Sequence, residues 1–150
     1  MVEILRRGFR NGEPAAPLRL AARSALDRRF PEAADADRLD DVLLVISELV
    51  QNVSQHTGGD GELVLSADDH VLVEVADGDP EQPHVLRPDA HRLGGRGLLV
   101  VSAVAVEWGT RPAEGGKVVW ARLEMGSRDA TAGSGAAYHA PAPPSGASTR

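Results

Sequence analysis

The chain has 150 residues, enough for one domain with its own core. It contains no cysteine, which excludes disulfides, thiolate metal sites and a cysteine nucleophile. With 22 acidic against 16 basic residues its net charge is -6, which works against the phosphate neutralisation on which nonspecific nucleic-acid binding rests.

Residues 2–10 read as an edge strand. A helix follows over 17–30: Pro17 suits its first turn, Pro31 stops it, and Leu18, Ala22, Ala25 and Leu26 form a narrow apolar stripe. A polar turn over 32–37 leads to a second helix. Its apolar set, Leu39, Val42, Leu43, Ile46, Leu49, Val50 and Val53, recurs at three and four. Asp40 and Asp41 near its start suit the positive end of the helix dipole, and Gly58-Gly59 ends it.

The period then changes to two. Residues 62–67 and 71–77 alternate as strands around Asp68-Asp69-His70, with Val71, Val73 and Val75 on one face. Residues 78–93 carry three prolines and no periodicity, which predicts a long irregular lid. Gly94-Gly95-Arg96-Gly97 opens a third helix from Leu98 to about Val106. Residues 107–110 and 117–123 form a last pair of strands around a glycine-rich turn. Aromatics are few, so the core is expected to be aliphatic. Beyond Met125 the composition cannot bury enough surface to order itself, which predicts a domain over 1–125 and a disordered tail over 126–150. The order of elements predicts an α/β (α+β) two-layer sandwich with a mixed, largely antiparallel sheet. No apolar run reaches membrane-span length and no signal-peptide pattern opens the chain, so the expectation is a cytoplasmic protein without membrane association.

Three segments carry chemistry. Glu48 and Asn52 lie four residues apart, on one side of the second helix. A carboxylate beside an amide oxygen suits a magnesium-assisted phosphate site, although the pair also fits the solvent face of an amphipathic helix. Asp77-Gly78-Asp79-Pro80 ends an apolar strand. A carboxylate there can accept from an exocyclic amine such as that of adenine, and the same residues also make a plain turn. Gly94-Gly95-Arg96-Gly97 precedes a helix start, where free N–H groups suit phosphate oxygens and Arg92 and Arg96 add positive charge. Gly115-Gly116-Lys117-Val118 lacks the Ser or Thr and the helix of a phosphate loop and reads as a hairpin turn. The five histidines show no metal-ligand spacing.

Taken in this order, a helix with Glu-x-x-x-Asn, a strand ending in Asp-Gly, a long lid and a glycine-rich helix start resemble the GHKL ATP-binding family. Residues 46–52 (Ile-Ser-Glu-Leu-Val-Gln-Asn) and 95–101 (Gly-Arg-Gly-Leu-Leu-Val-Val) are most similar to the small stand-alone anti-sigma-factor serine kinases of bacteria. Residues 116–121 (Gly-Lys-Val-Val-Trp-Ala) resemble the endings of actinobacterial members. The resemblance runs from about Pro14 to Leu123. It implies the Bergerat ATP-binding fold, a mixed sheet against three helices, with ATP and Mg2+ as cofactors. Asn52 would coordinate the metal, and Glu48 would act as general base or orient the acceptor hydroxyl. Asp77, with Gly78 beside it, would bind adenine. Gly95, Arg96, Gly97 and Leu98 would hold phosphates. The implied activity is a protein serine/threonine kinase that phosphorylates an anti-anti-sigma partner of STAS fold and silences a sigma factor.

Asp79 and Glu81 stand where the family's adenine segment carries glycines. Extra carboxylates beside a polyanion are unfavourable unless they face away or help to hold the metal. That departure keeps open an alternative, a binding module that sequesters a sigma factor or STAS partner without phosphoryl transfer. A third reading is a scaffold of unrelated fold. No hairpin with a phosphoacceptor histidine precedes the domain, so a complete sensor histidine kinase is not expected. Homodimerisation is left open.

Overall fold

The computed structural model describes residues 1–10, 12–57, 60–77 and 96–126. The first strand, β1 (Val2–Phe9), leads into helix α1 (Ala16–Arg29). Pro17 lies in the first turn of α1, and Arg28 and Arg29 in its last turn complement the negative end of the dipole. The Phe30 N–H closes the helix on the Leu26 carbonyl at 2.8 Å, and Pro31 cannot continue it. The polar linker winds into a 3-10 turn (Ala33–Asp35) that runs directly into helix α2 (Ala36–Thr57). The helix therefore starts ahead of its apolar pattern. Asp37 takes the first-turn position, and Asp40 and Asp41 lie a turn further in. Asp41 does not face solvent at the dipole end; it is buried near Arg38, 4.0 Å away.

Strands β2 (Gly61–Ala67) and β3 (His70–Asp77) form the expected hairpin. Its turn is held by Asp68, whose carboxylate accepts from the His70 N–H at 2.7 Å while its own N–H donates to the His70 carbonyl at 2.9 Å. Helix α3 (Arg96–Val104), strand β4 (Glu107–Ala113) and strand β5 (Gly116–Glu124) complete the described chain. The strand order is β1-β2-β3-β5-β4, and every neighbouring pair is antiparallel. The sheet is thus at the antiparallel end of what the sequence allows, packed on three helices in an α+β two-layer sandwich. The expected lid over 78–93 and the tail beyond residue 126 lie outside the described residues.

Alternation decides which face of the sheet is covered. Leu63, Leu65, Val71, Val73, Val75, Ala121 and Leu123 are in phase on one face and fully buried or nearly so. α2 lies across this face and packs on α1, α3, β2, β3 and β5. Val42, Val45, Ile46 and Leu49 fill the contact, and burying each such side chain contributes roughly 1.5–3 kcal/mol. The opposite face alternates half-buried Val64, Leu72 and Trp120 with the ion pairs Arg6–Glu62, Glu74–Arg111 and Glu107–Arg122. Where the chain leaves β5, the Gly126 N–H donates to the buried Asp35 carboxylate at 2.7 Å, fastening that end to the 3-10 turn. No helix among the described residues is long and apolar enough to cross a membrane.

Candidate functional site

Topology places the end of α2, the end of β3 and the start of β5 at one end of the two layers. α2 ends at Thr57 and β2 begins at Gly61, so the last turns of α2 stand over the end of the sheet where β2 starts. Gly61 pairs with Asp77, the last residue of β3, and β5 begins beside them at Gly116. The Val106 N–H, just past α3, donates to the Arg122 carbonyl at 2.7 Å. That bond fixes the C-terminal side of α3 beside Arg122 of β5, away from the Gly116 end of that strand. A nine-residue helix reaches about 14 Å.

Asn52 is 9% exposed. It follows Val45 and Leu49 by seven and three residues, so it belongs to the buried stripe of α2 rather than to its solvent face. A polar amide in an apolar stripe costs stability unless it is hydrogen-bonded, which sets Asn52 apart from its neighbours as a candidate ligand-binding residue. Glu48, one turn earlier, is half-buried.

Asp77 is 3% exposed and lies in phase with Val71, Val73 and Val75, on the face that the helices cover. Gly116 of the adjoining strand comes close to it: a Cβ atom there would lie 2.7 Å from the Asp77 carbonyl oxygen and 3.5 Å from its Cβ. Only glycine permits that approach. Gly78 and Gly95 lie outside the described residues. Arg96 and Gly97 form the start of α3, whose first-turn N–H groups have no intrahelical partner. The Leu98 side chain is 6% exposed and belongs to the core, so only its backbone is available to a ligand.

Lys117 belongs to this constellation, although the sequence reading assigns it to a hairpin turn. It is in phase with Val119, Ala121 and Leu123 on the covered face, and that phase is the signal in the sequence that marks it. Burial of the ammonium lowers the Lys117 pKa below the usual lysine range, and the attraction of Asp77 only partly opposes this. The folded chain therefore releases this proton at lower pH than the unfolded chain. In the window below the ordinary lysine value the unfolded state binds more protons, and stability rises with pH. Urea midpoints of wild type and Lys117→Met between about pH 8 and about pH 10 test the sign. Wild type should gain on the variant as pH rises, and a flat or falling difference would contradict the burial argument.

Among the described residues no cluster of three His, Asp or Glu side chains could form a metal cage. Magnesium at a nucleotide does not need one, because it keeps several waters and takes one or two protein ligands besides phosphate oxygens. The Asn52 amide oxygen, buried at the end of the layers, fits that demand.

A family model described as a histidine kinase-like ATPase domain matches residues 12–123. The chain belongs to this family. The histidine kinase-like ATPase domain is an ATP-binding unit, and the match spans every described element except β1 and the last residues. Among curated proteins none matches the chain. The polar residues buried at one end of an otherwise aliphatic sandwich are thus the candidate nucleotide site of the domain.

Proposed function

We propose that the protein is a magnesium–ATP-dependent serine/threonine kinase of the anti-sigma type. The observation that carries the nucleotide site is the burial of Asp77 and Asn52 at the same end of the two layers, within the matched family segment. Asp77 accepts from the exocyclic amine of adenine. Asn52 holds the magnesium ion, which supplies charge neutralisation to the phosphates when bound. The N–H groups at the start of α3, from Arg96, Gly97 and Leu98, with Gly95 ahead of them, receive phosphate oxygens. Glu48, half-buried one turn from Asn52, orients the acceptor hydroxyl and takes its proton as the hydroxyl oxygen bonds to the γ-phosphorus and the bond to the leaving ADP oxygen breaks. Positioning and charge neutralisation carry most of the acceleration in such transfers. The acceptor is a serine or threonine on an anti-anti-sigma protein of STAS fold, and the counterpart held in the other state is a sigma factor. The resemblance of residues 46–52 and 95–101 supports this choice of partners.

A second reading rests on Asp79 and Glu81, which add negative charge next to the adenine segment. In that reading the protein sequesters its partner without phosphoryl transfer. Thermal stability with ATP or ADP, each with and without magnesium, separates the cases. A ligand at a hundredfold excess over its Kd stabilises the folded state by about 2.7 kcal/mol. Wild type should show a magnesium-dependent gain, and Asn52→Ala should lose that magnesium-dependent part, roughly a tenfold weakening, while retaining the smaller metal-free effect. Absence of any nucleotide effect on wild type would remove the proposal. Transfer of labelled γ-phosphate to a STAS-fold partner then distinguishes the kinase from the sequestering module.

A further inference from the structure

Lys117 is the only lysine in the chain, and the fold sets it against the residue proposed to read adenine. Ala76–Val118 is the last pair between β3 and β5, and Asp77 and Lys117 are the next residues along the two neighbouring strands, each in phase with the pair Val75–Val119. Residues directly opposite in an antiparallel pair project to the same face, with Cβ atoms about 4.5–5.5 Å apart. That face is the one covered by helices, where Val75 and Val119 are the preceding pair. Gly116, next to Lys117, carries no side chain to separate the two strands at this point, and its backbone lies against Asp77.

A carboxylate and an ammonium on one face of neighbouring strands, near enough for Asp77 to attract the Lys117 charge, offer an acceptor and a donor. Adenine presents the complement, because its exocyclic amine is flanked by ring nitrogens that accept. Lysine has three N–H donors, so an ammonium that directs one at Asp77 keeps two for a ligand. The pair is also poorly explained as a structural ion pair. A stabilising pair holds the lysine proton more tightly, whereas burial here loosens it despite Asp77. A hairpin start needs no lysine on its covered face. We propose that Lys117 reads the nucleobase together with Asp77, its ammonium donating to a ring nitrogen beside the amine that Asp77 accepts. This rests on the nucleotide reading given above.

The test compares ADP with 1-deaza-ADP and 7-deaza-ADP, all with magnesium, by calorimetric titration of the full chain and of Lys117→Met. Each analogue lacks one of the two flanking ring nitrogens. A hydrogen bond from a charged donor is worth roughly tenfold or more in affinity. Wild type should therefore bind one of the two analogues about tenfold more weakly than ADP, and that analogue identifies the edge. Lys117→Met should bind ADP about tenfold more weakly and no longer distinguish ADP from that analogue. Lys117→Gln, which keeps the stem and an uncharged donor, should fall between them. Equal wild-type affinity for all three ligands overturns the proposal without any variant. Weaker ADP binding by Lys117→Met with the discrimination intact also overturns it, since the lysine would then act only through Asp77. If wild type binds no ADP, the nucleotide reading itself fails, an outcome distinct from both.

Discussion

Gly61→Val is expected to destabilise the protein by about 1–3 kcal/mol, a large fraction of the stability of an ordinary domain. Gly61 opens β2 and pairs with Phe9 on one side and Asp77 on the other. A Cβ atom built on it runs into the ring of Phe9 and lies 2.7 Å from the Ala76 carbonyl oxygen. Phe9 is buried and is one of only two phenylalanines in the chain, so it cannot swing away without giving up its place in the core. The Ala76 oxygen belongs to backbone and yields only if β3 moves. Alanine already meets both contacts, and valine adds two methyl groups. Urea unfolding should show a lower midpoint with an unchanged slope, the signature of lost stability without a changed unfolded state. Phe9→Leu should recover part of the loss in a Gly61→Ala background, because it removes one of the two obstacles. A Gly61→Val protein within about 0.5 kcal/mol of wild type would mean that the strands do not approach as closely as described.

The same crowding explains what was legible in the chain. Period-two alternation is local, so Val71, Val73 and Val75 announce their strand and their shared face without knowledge of any neighbour. The stripe Leu18, Ala22, Ala25 and Leu26 is equally local, and all four residues are buried. Val45 escapes a stripe drawn from Leu39 by threes and fours, yet it is fully buried, while Leu43, which belongs to that stripe, is only half-buried. The reason is tertiary. α2 is covered by α1, α3 and three strands, so its buried arc is wider and rotated relative to the pattern of a helix with one covered side.

The candidate site divides along the same line. Asn52 and Asp77 are visible as polar residues on apolar elements, and Asn52 could be assigned to either side of its helix until the packing of α2 was known. Lys117 was not visible as part of a site, because its relation to Asp77 depends on β5 lying beside β3, a pairing between strands that are not consecutive. Its phase with Val119 and Ala121 marks the covered face, but nothing local in a Gly-Gly-Lys turn says which strand lies beside it. Gly116 shows the same dependence: it reads as a turn residue, and its reason for being glycine is the Asp77 backbone across the sheet.

Asp77→Asn is expected to weaken ADP binding by at least about 100-fold while the domain stays folded. Asparagine preserves the volume and one acceptor oxygen at a site that is almost fully buried, so packing against Val75 and Gly116 is retained. Two things change. The amide presents N–H donors where the exocyclic amine of adenine also donates, and the negative charge that supports the Lys117 ammonium disappears. The first loss sets a donor against a donor in a buried site, the situation in which discrimination is steepest. The second lowers the Lys117 pKa further, since burial then acts without opposition, and the rise of stability with pH should extend to lower pH than in wild type. Ligand linkage makes the first effect measurable. At an ADP concentration a hundred times the wild-type Kd, wild type gains about 2.7 kcal/mol, and a variant bound 100-fold more weakly gains only about 0.4 kcal/mol. The thermal shift with ADP and magnesium should therefore all but vanish, while the urea midpoint without nucleotide stays within about 1 kcal/mol of wild type. An undiminished shift would place the adenine elsewhere, and with it every role assigned here to the end of the sheet where β3 meets β5.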